Sequence, residues 1–163
     1  MLDLTILLVE DLQSRGWTLA TAESCTAGRI AQTFADAKGS GEVYVGGVIA
    51  YRKDRKVTVL GVPEDLLRQP EGAVSEVVAV GMAEGVRHLM GATLAIASTG
   101  VAGPSPDEDG NPVGRVYLAI AGHGLEADCR RFDFGEMDAD AILARTVDAA
   151  LLMLAGLLGR DAG

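Results

Sequence analysis

Trp17-Thr18-Leu19-Ala20-Thr21-Ala22-Glu23-Ser24-Cys25-Thr26-Ala27-Gly28-Arg29-Ile30-Ala31-Gln32-Thr33-Phe34 is the stretch that decides how this chain is read. Its first third is β-rich and predicts a strand over 17–22, while a helical pattern starts at Arg29. Residues 22–28 are therefore a strand-to-helix corner. Such a corner sets small hydroxyl side chains beside the unpaired amides of a helix's first turn, which attract anions and can hold an oxyanion. Ser24 is the candidate for chemistry there. A serine before a helix also serves as an ordinary cap, and spacing alone leaves both readings open.

Working outward, Asp3 is placed to cap a first helix with Leu4, Leu7, Leu8 and Leu12 on one face and Gly16 at its stop. Beyond the corner, the second helix exits at Lys38-Gly39-Ser40-Gly41. Val43-Tyr44-Val45-Gly46-Gly47-Val48-Ile49-Ala50-Tyr51 then reads as a strand, and its continuous apolar character predicts a central place covered on both faces. Pro63 opens a short helical segment at 64–67. Ser75-Glu76 starts a longer helix with Val78, Met82, Val86 and Leu89 in a stripe and Gly91 at its close. Gly81 and Gly85 inside it each cost about 1 kcal/mol relative to alanine, which predicts close approach to an element the sequence does not name.

A third strand is predicted over 93–98, and it empties into a long loop of turn-formers, 99–114. Loops of that length inside a compact domain are commonly functional or mobile. Two further strands, 115–121 and 126–134, joined across Gly122-His123-Gly124, predict a hairpin. The last helix begins near Asp138 and carries Leu143, Val147, Leu151, Leu154 and Leu158 on one side. The order predicts an α/β fold, a three-layer α/β/α sandwich with a mixed sheet of about five strands, in one domain over 1–163.

Composition excludes several classes. At 163 residues and 48% hydrophobic the chain can fill one core, and with 4% aromatics it has no row of rings on which bases could stack. A net charge of −9 argues further against nucleic acid as a partner. Met1-Leu2-Asp3-Leu4 lacks the basic region and apolar stretch of a leader, and no uncharged apolar run reaches membrane-spanning length, so no membrane partner and a cytoplasmic location are expected. Cys25 and Cys129 stand far apart, and His88 and His123 are isolated, so neither a metal nor a cofactor is expected. Cys25 sits where a thiolate would be stabilised, although a buried inert thiol is the plainer reading.

The run Arg52-Lys53-Asp54-Arg55-Lys56 holds four of the 14 lysines and arginines within five positions of an acidic chain. It is either a solvated loop or a local positive field that receives an anionic ligand. Lys56 has a second reading, as the base that takes a serine proton. That requires burial or its cationic neighbours Arg52, Lys53 and Arg55 to lower its pKa from about 10.4 to roughly 7–8. Gly-x-Ser-x-Gly is absent and no histidine has an evident carboxylate partner, so a Ser-His-Asp hydrolase has little support. Gly100-Val101-Ala102-Gly103 matches neither the Walker loop nor the dinucleotide fingerprint.

Taken in order, Thr21-Ala22-Glu23-Ser24-Cys25-Thr26-Ala27-Gly28, Ala50-Tyr51 with Lys56 and Leu60-Gly61-Val62, Gly72-Ala73-Val74-Ser75, Ser98-Thr99-Gly100-Val101-Ala102-Gly103-Pro104 and Pro112-Val113-Gly114 resemble the CinA carboxy-terminal domain family. The resemblance runs from about Leu8 to Leu154. That family includes amidases that convert nicotinamide mononucleotide to nicotinic acid mononucleotide and ammonia. The resemblance implies Ser24 as nucleophile, Lys56 with Tyr51 handling its proton, and a substrate site at Thr26, Gly28, Arg52, Thr99, Gly100 and Arg145. It also implies a three-layer fold, a small pyridine nucleotide as partner, and self-association, with a dimer favoured. Three departures stand out. Ala27 replaces a family glycine, Arg52-Lys53 replace Ser-Asn, and an amino-terminal molybdopterin-binding-like domain carried by some relatives is missing, which implies a stand-alone form. The first two keep a second function in play, a non-catalytic nucleotide-binding or regulatory module.

Overall fold

Alternation of small and large apolar residues along three strands sets the layers. A computed structural model describes residues 2–160, with side chains from residue 4 onward. The elements are α1 (Leu2–Arg15), β1 (Leu19–Glu23), α2 (Arg29–Ala35), β2 (Tyr44–Ile49), α3 (Lys53–Leu60), α4 (Glu76–Met90), β3 (Leu94–Gly100), β4 (Arg115–Gly122), β5 (Asp128–Asp133) and α5 (Ala139–Leu157), with single 3-10 turns at Ser40–Glu42 and Leu66–Arg68. The five strands form one mixed sheet in the order β2-β1-β3-β4-β5, with β2, β1 and β3 parallel and β4 and β5 antiparallel.

On one face Ala20, Ala22, Ala95, Ala97, Ala119 and Ala121 meet Ala79, Met82, Ala83 and Val86 of α4. On the other face Leu19, Leu94, Ile96, Leu118 and Ile120 meet α1, α2 and α5 through Leu8, Leu12, Ile30, Phe34, Leu151 and Leu154. Successive side chains of a strand point to opposite faces, so one sheet carries an alanine floor under α4 and a bulkier floor under the other layer. The three-layer expectation holds.

The element that Gly85 approaches is the end of α3. A Cβ on Gly85 would stand 1.9 Å from the Leu60 carbonyl oxygen, and one on Gly81 would contact Val62 at 3.5 Å. Glycine at 85 therefore lets α3 and α4 touch backbone to backbone, which fixes the height of α3 above the sheet.

Several expectations need correction. β2 is an edge strand, not a central one: among the described residues it pairs only with β1, and its Val45 and Ile49 are exposed. An apolar run does not encode strand order, and here Gly47 makes room for a hydroxyl pair, because its Cβ would lie 2.2 Å from Thr21 Oγ1, which bonds Tyr44 at 2.8 Å. The basic run is not a loop; residues 53–56 are the first turn of α3. α1 begins at Leu2, ahead of Asp3, whose side chain lies outside the described residues. Leu7 and Leu89 point to solvent instead of joining their stripes, and Leu143 and Val147 are only half-buried, since Ile142, Thr146 and Ala150 take the inner face of α5.

Candidate active site

The corner after β1 is held together by a carboxylate. Glu23 ends the strand fully buried, and its Oε2 accepts from the Thr26 hydroxyl at 2.6 Å, the Gly28 amide at 2.9 Å and the Ile30 amide at 3.1 Å. Its Oε1 accepts from the Ala31 amide at 2.7 Å. The first-turn amides of α2 are thus taken by Glu23, which neutralises the positive end of that helix. Ser24 is not the cap; the residue at the helix boundary is Gly28, in the left-handed region at φ 99°. Thr26 also bonds Ser98 Oγ at 2.7 Å, so a buried chain Glu23–Thr26–Ser98 ties the corner to β3.

Freed from capping, Ser24 faces a cleft of about 720 Å³ at the carboxyl ends of the three parallel strands. Such ends are where open α/β sheets place ligands. The cleft is walled by Tyr51 and the first turn of α3, by Ala73 and Val74, and by the start of the loop after β3.

Lys56 enters from α3. It is 1% exposed, and its Nζ lies 2.9 Å from Ser24 Oγ, 2.6 Å from the Ala50 carbonyl and 3.2 Å from the Tyr51 carbonyl. Burial pulls its pKa from 10.5 down to about 8, the nearby Cys25 opposes this, and Lys53 adds to it. Burial is thus the main cause, and Arg52 and Arg55 are held by Asp54 at 3.0 and 3.1 Å. A neutral amine has two N–H bonds and one lone pair. As an ammonium Lys56 donates to Ser24 Oγ and to both carbonyls; once neutral, with its two N–H bonds on the carbonyls, its lone pair is left for the Ser24 hydroxyl. Tyr51 contributes its carbonyl to this group, and the residue is 69% exposed at the cleft's rim.

Cys25, beside Ser24, has its thiol pushed up to about 12 by burial, with the Cys25 and Thr26 amides partly opposing. A thiol held so high is a poor nucleophile at neutral pH. The corner's other amides are committed: Ser24 donates to the Ser98 carbonyl and Ala27 to the Ser24 carbonyl.

Of the residues singled out in the sequence, Ser24, Tyr51, Arg52, Lys56, Thr99 and Gly100 line the cleft. Thr99 donates to the Ala73 carbonyl at 2.7 Å and so fixes a second wall. Gly100 is required by packing, since a Cβ there would stand 2.7 Å from Val116 Cγ2. Thr26 lies buried beneath the cleft, and Gly28 starts α2 with its amide on Glu23. Arg145 is exposed on α5, in the layer across the sheet from α3, and is not among the lining residues. Sequence reading did not single out Glu23, Ser98 or the acidic residues 107–109. Among the described residues no three histidine, cysteine or acidic side chains are grouped to hold a metal ion, and no helix is long and apolar enough to cross a membrane.

The described loop is also wired. Asp107 Oδ1 accepts from the Asp109 and Asn111 amides at 3.0 and 2.8 Å. Asn111 Nδ2 donates to the Glu71 carbonyl at 2.9 Å. Lys53 Nζ reaches across the cleft to Glu108 at 2.6 Å and Asp109 at 2.7 Å.

A family model described as the CinA C-terminal domain matches residues 2–158. A CinA-like protein from a Synechococcus species is 47% identical over 119 residues, covering 73% of this chain and 28% of that protein. The chain spans about a third of the length of the curated relatives it matches. A solved CinA superfamily protein from Klebsiella pneumoniae superposes with a TM-score of 0.91 at 35% identity, over 97% of both chains. A competence/damage inducible protein from Agrobacterium tumefaciens does so at 0.91 and 34% identity, over 98% of this chain and 95% of its own.

Proposed function

The chain belongs to the CinA C-terminal domain family, and from that premise and the geometry of the cleft we propose that it is an amidase that converts nicotinamide mononucleotide to nicotinic acid mononucleotide and ammonia. The observation that carries this reading is the buried contact between Lys56 Nζ and Ser24 Oγ at 2.9 Å. A lysine so placed, with its pKa near 8, is a competent base for a serine hydroxyl at neutral to mildly alkaline pH.

Neutral Lys56 takes the Ser24 proton as Oγ attacks the carboxamide carbon. The carbonyl oxygen gains the negative charge, and the amides of Cys25 and Thr26 are the donors of the corner left to receive it, because those of Gly28, Ile30 and Ala31 are bound to Glu23. Lys56, now an ammonium held by the Ala50 and Tyr51 carbonyls, passes a proton to the departing nitrogen, and ammonia leaves. Water, deprotonated by the same amine, then cleaves the Ser24 ester and restores the hydroxyl. The exposed Tyr51 stands at the rim, where a flat pyridinium ring could rest on it.

Analysis of the products of incubation with nicotinamide mononucleotide tests the reading. Equimolar nicotinic acid mononucleotide and ammonia are expected. Binding of the nucleotide without either product would favour the regulatory module instead.

A further inference from the structure

Two cations on the wall of the cleft, Arg52 and Lys53, are already paired with carboxylates of the same chain, and the third, Lys56, is buried against carbonyls. Arg52 is bonded to Asp54 at 3.0 Å, and Lys53 to Glu108 and Asp109 at 2.6 and 2.7 Å. An anionic substrate approaching a chain of net charge −9 therefore meets Arg52 and Lys53 already paired, and has to exchange with a resident carboxylate to take either.

The two carboxylates on Lys53 differ. Asp109 is 21% exposed at its side chain and its amide is tied to Asp107 at 3.0 Å. It lies over Gly72, where a Cβ would come within 1.9 Å of Asp109 Oδ2. Glu108 is 73% exposed at its side chain, and leaving Lys53 would lose only a solvent-facing ion pair. One partner is built into the wall; the other can swing away without moving the loop, which Asp107 and Asn111 keep pinned.

We propose that Glu108 stands in for a substrate phosphate on Lys53, so that an anionic group displaces Glu108 while Asp109 keeps the ammonium aimed into the cleft. Lys53 is then the residue that separates phosphorylated from unphosphorylated substrates, and Glu108 sets how strongly. A phosphate dianion brings more charge and more acceptor oxygens than one carboxylate and wins the exchange; a neutral ribose leaves the Lys53–Glu108 pair closed. This rests on the amidase reading for the identity of the substrate, but not for the exchange itself.

The test measures binding of nicotinamide mononucleotide and of its unphosphorylated nucleoside to Ser24→Ala protein by calorimetry, so that turnover does not intervene. Adding Glu108→Gln should raise the nucleotide-to-nucleoside affinity ratio about two- to fivefold, as for removal of one exposed competing charge. Adding Lys53→Met should lower that ratio about tenfold or more, and Lys53→Arg should restore most of it. A ratio unmoved by Glu108→Gln, or by Lys53→Met, overturns the proposal. Inorganic phosphate is titrated in parallel, with the Lys53 side-chain resonances as the readout. Tighter phosphate binding in Glu108→Gln supports the exchange even if the wild-type protein releases no ammonia, and unchanged binding overturns it even if the amidase reading stands.

Discussion

Replacing Lys56 by methionine removes the amine, keeps the stem, and separates a catalytic base from a merely buried cation. With its pKa at about 8 instead of 10.5, roughly one Lys56 in ten is neutral at pH 7, against about three in ten thousand for an unperturbed lysine. The fold thus raises the competent fraction about 300-fold. The rate kcat/KM for the amide should climb tenfold per pH unit below pH 8 and level off above it. Lys56→Met should lose that limb and most of kcat, and Lys56→Arg should be equally inactive because a guanidinium stays protonated.

The same shift enters stability. The folded-state pKa lies below the unfolded one, so the benefit is complete above pH 10.5 and is lost as pH falls, entirely so below about 8. Over that window wild-type stability should rise with pH by about 3 kcal/mol more than that of Lys56→Met. Denaturant melts of both proteins across the window, beside their pH–rate profiles, supply the data. Parallel stability curves together with matching rate profiles would refute a neutral lysine at this position.

Three further outcomes follow from the packing. Gly85→Ala puts a Cβ against the Leu60 carbonyl and should destabilise by about 1–3 kcal/mol, and lower kcat as well because α3 carries Lys56, measured by melts and ammonia release. Glu23→Ala removes the acceptor of four hydrogen bonds from a buried corner and should destabilise by about 3–5 kcal/mol, with local loss of hydrogen-exchange protection over residues 26–31. Ala27 is the non-glycine residue with a left-handed backbone among those described, at φ 48°, so Ala27→Gly should stabilise by about 1 kcal/mol in denaturant titration without changing kcat.

The departures from the family pattern read differently once these contacts are known. Glycine suits position 27 because of its backbone angle, and alanine there costs stability, not access to the cleft. Arg52 and Lys53 supply cations, but each is paired with carboxylates.

The layers were legible in the sequence because strand and helix periods differ, and the close approach at Gly85 was legible because glycine inside a helix needs a reason. The position of β2 was not legible, since an apolar run says that a strand is covered somewhere and not which strand is its neighbour. Ser24 and Lys56 could be named from residue type and motif, but their contact bridges 32 residues and exists only because α3 is set down on α4. Glu23 left no signal of its own: a glutamate at a strand end reads as exposed until four donors are found around it. The clamp on Lys53 was hidden for the same reason, its carboxylates lying over 50 positions away in a loop without periodicity.

The central claim, that Ser24 is the nucleophile of an amidase, is tested most directly by ammonia release from nicotinamide mononucleotide by wild-type and Ser24→Ala protein at pH 8. Because Glu23 and not Ser24 holds the start of α2, the variant should fold and melt within a few degrees of wild type, corresponding to about 1 kcal/mol, yet release ammonia at less than about a thousandth of the wild-type rate. A folded Ser24→Ala protein that releases ammonia at the wild-type rate, or a wild-type protein that releases none, contradicts the account.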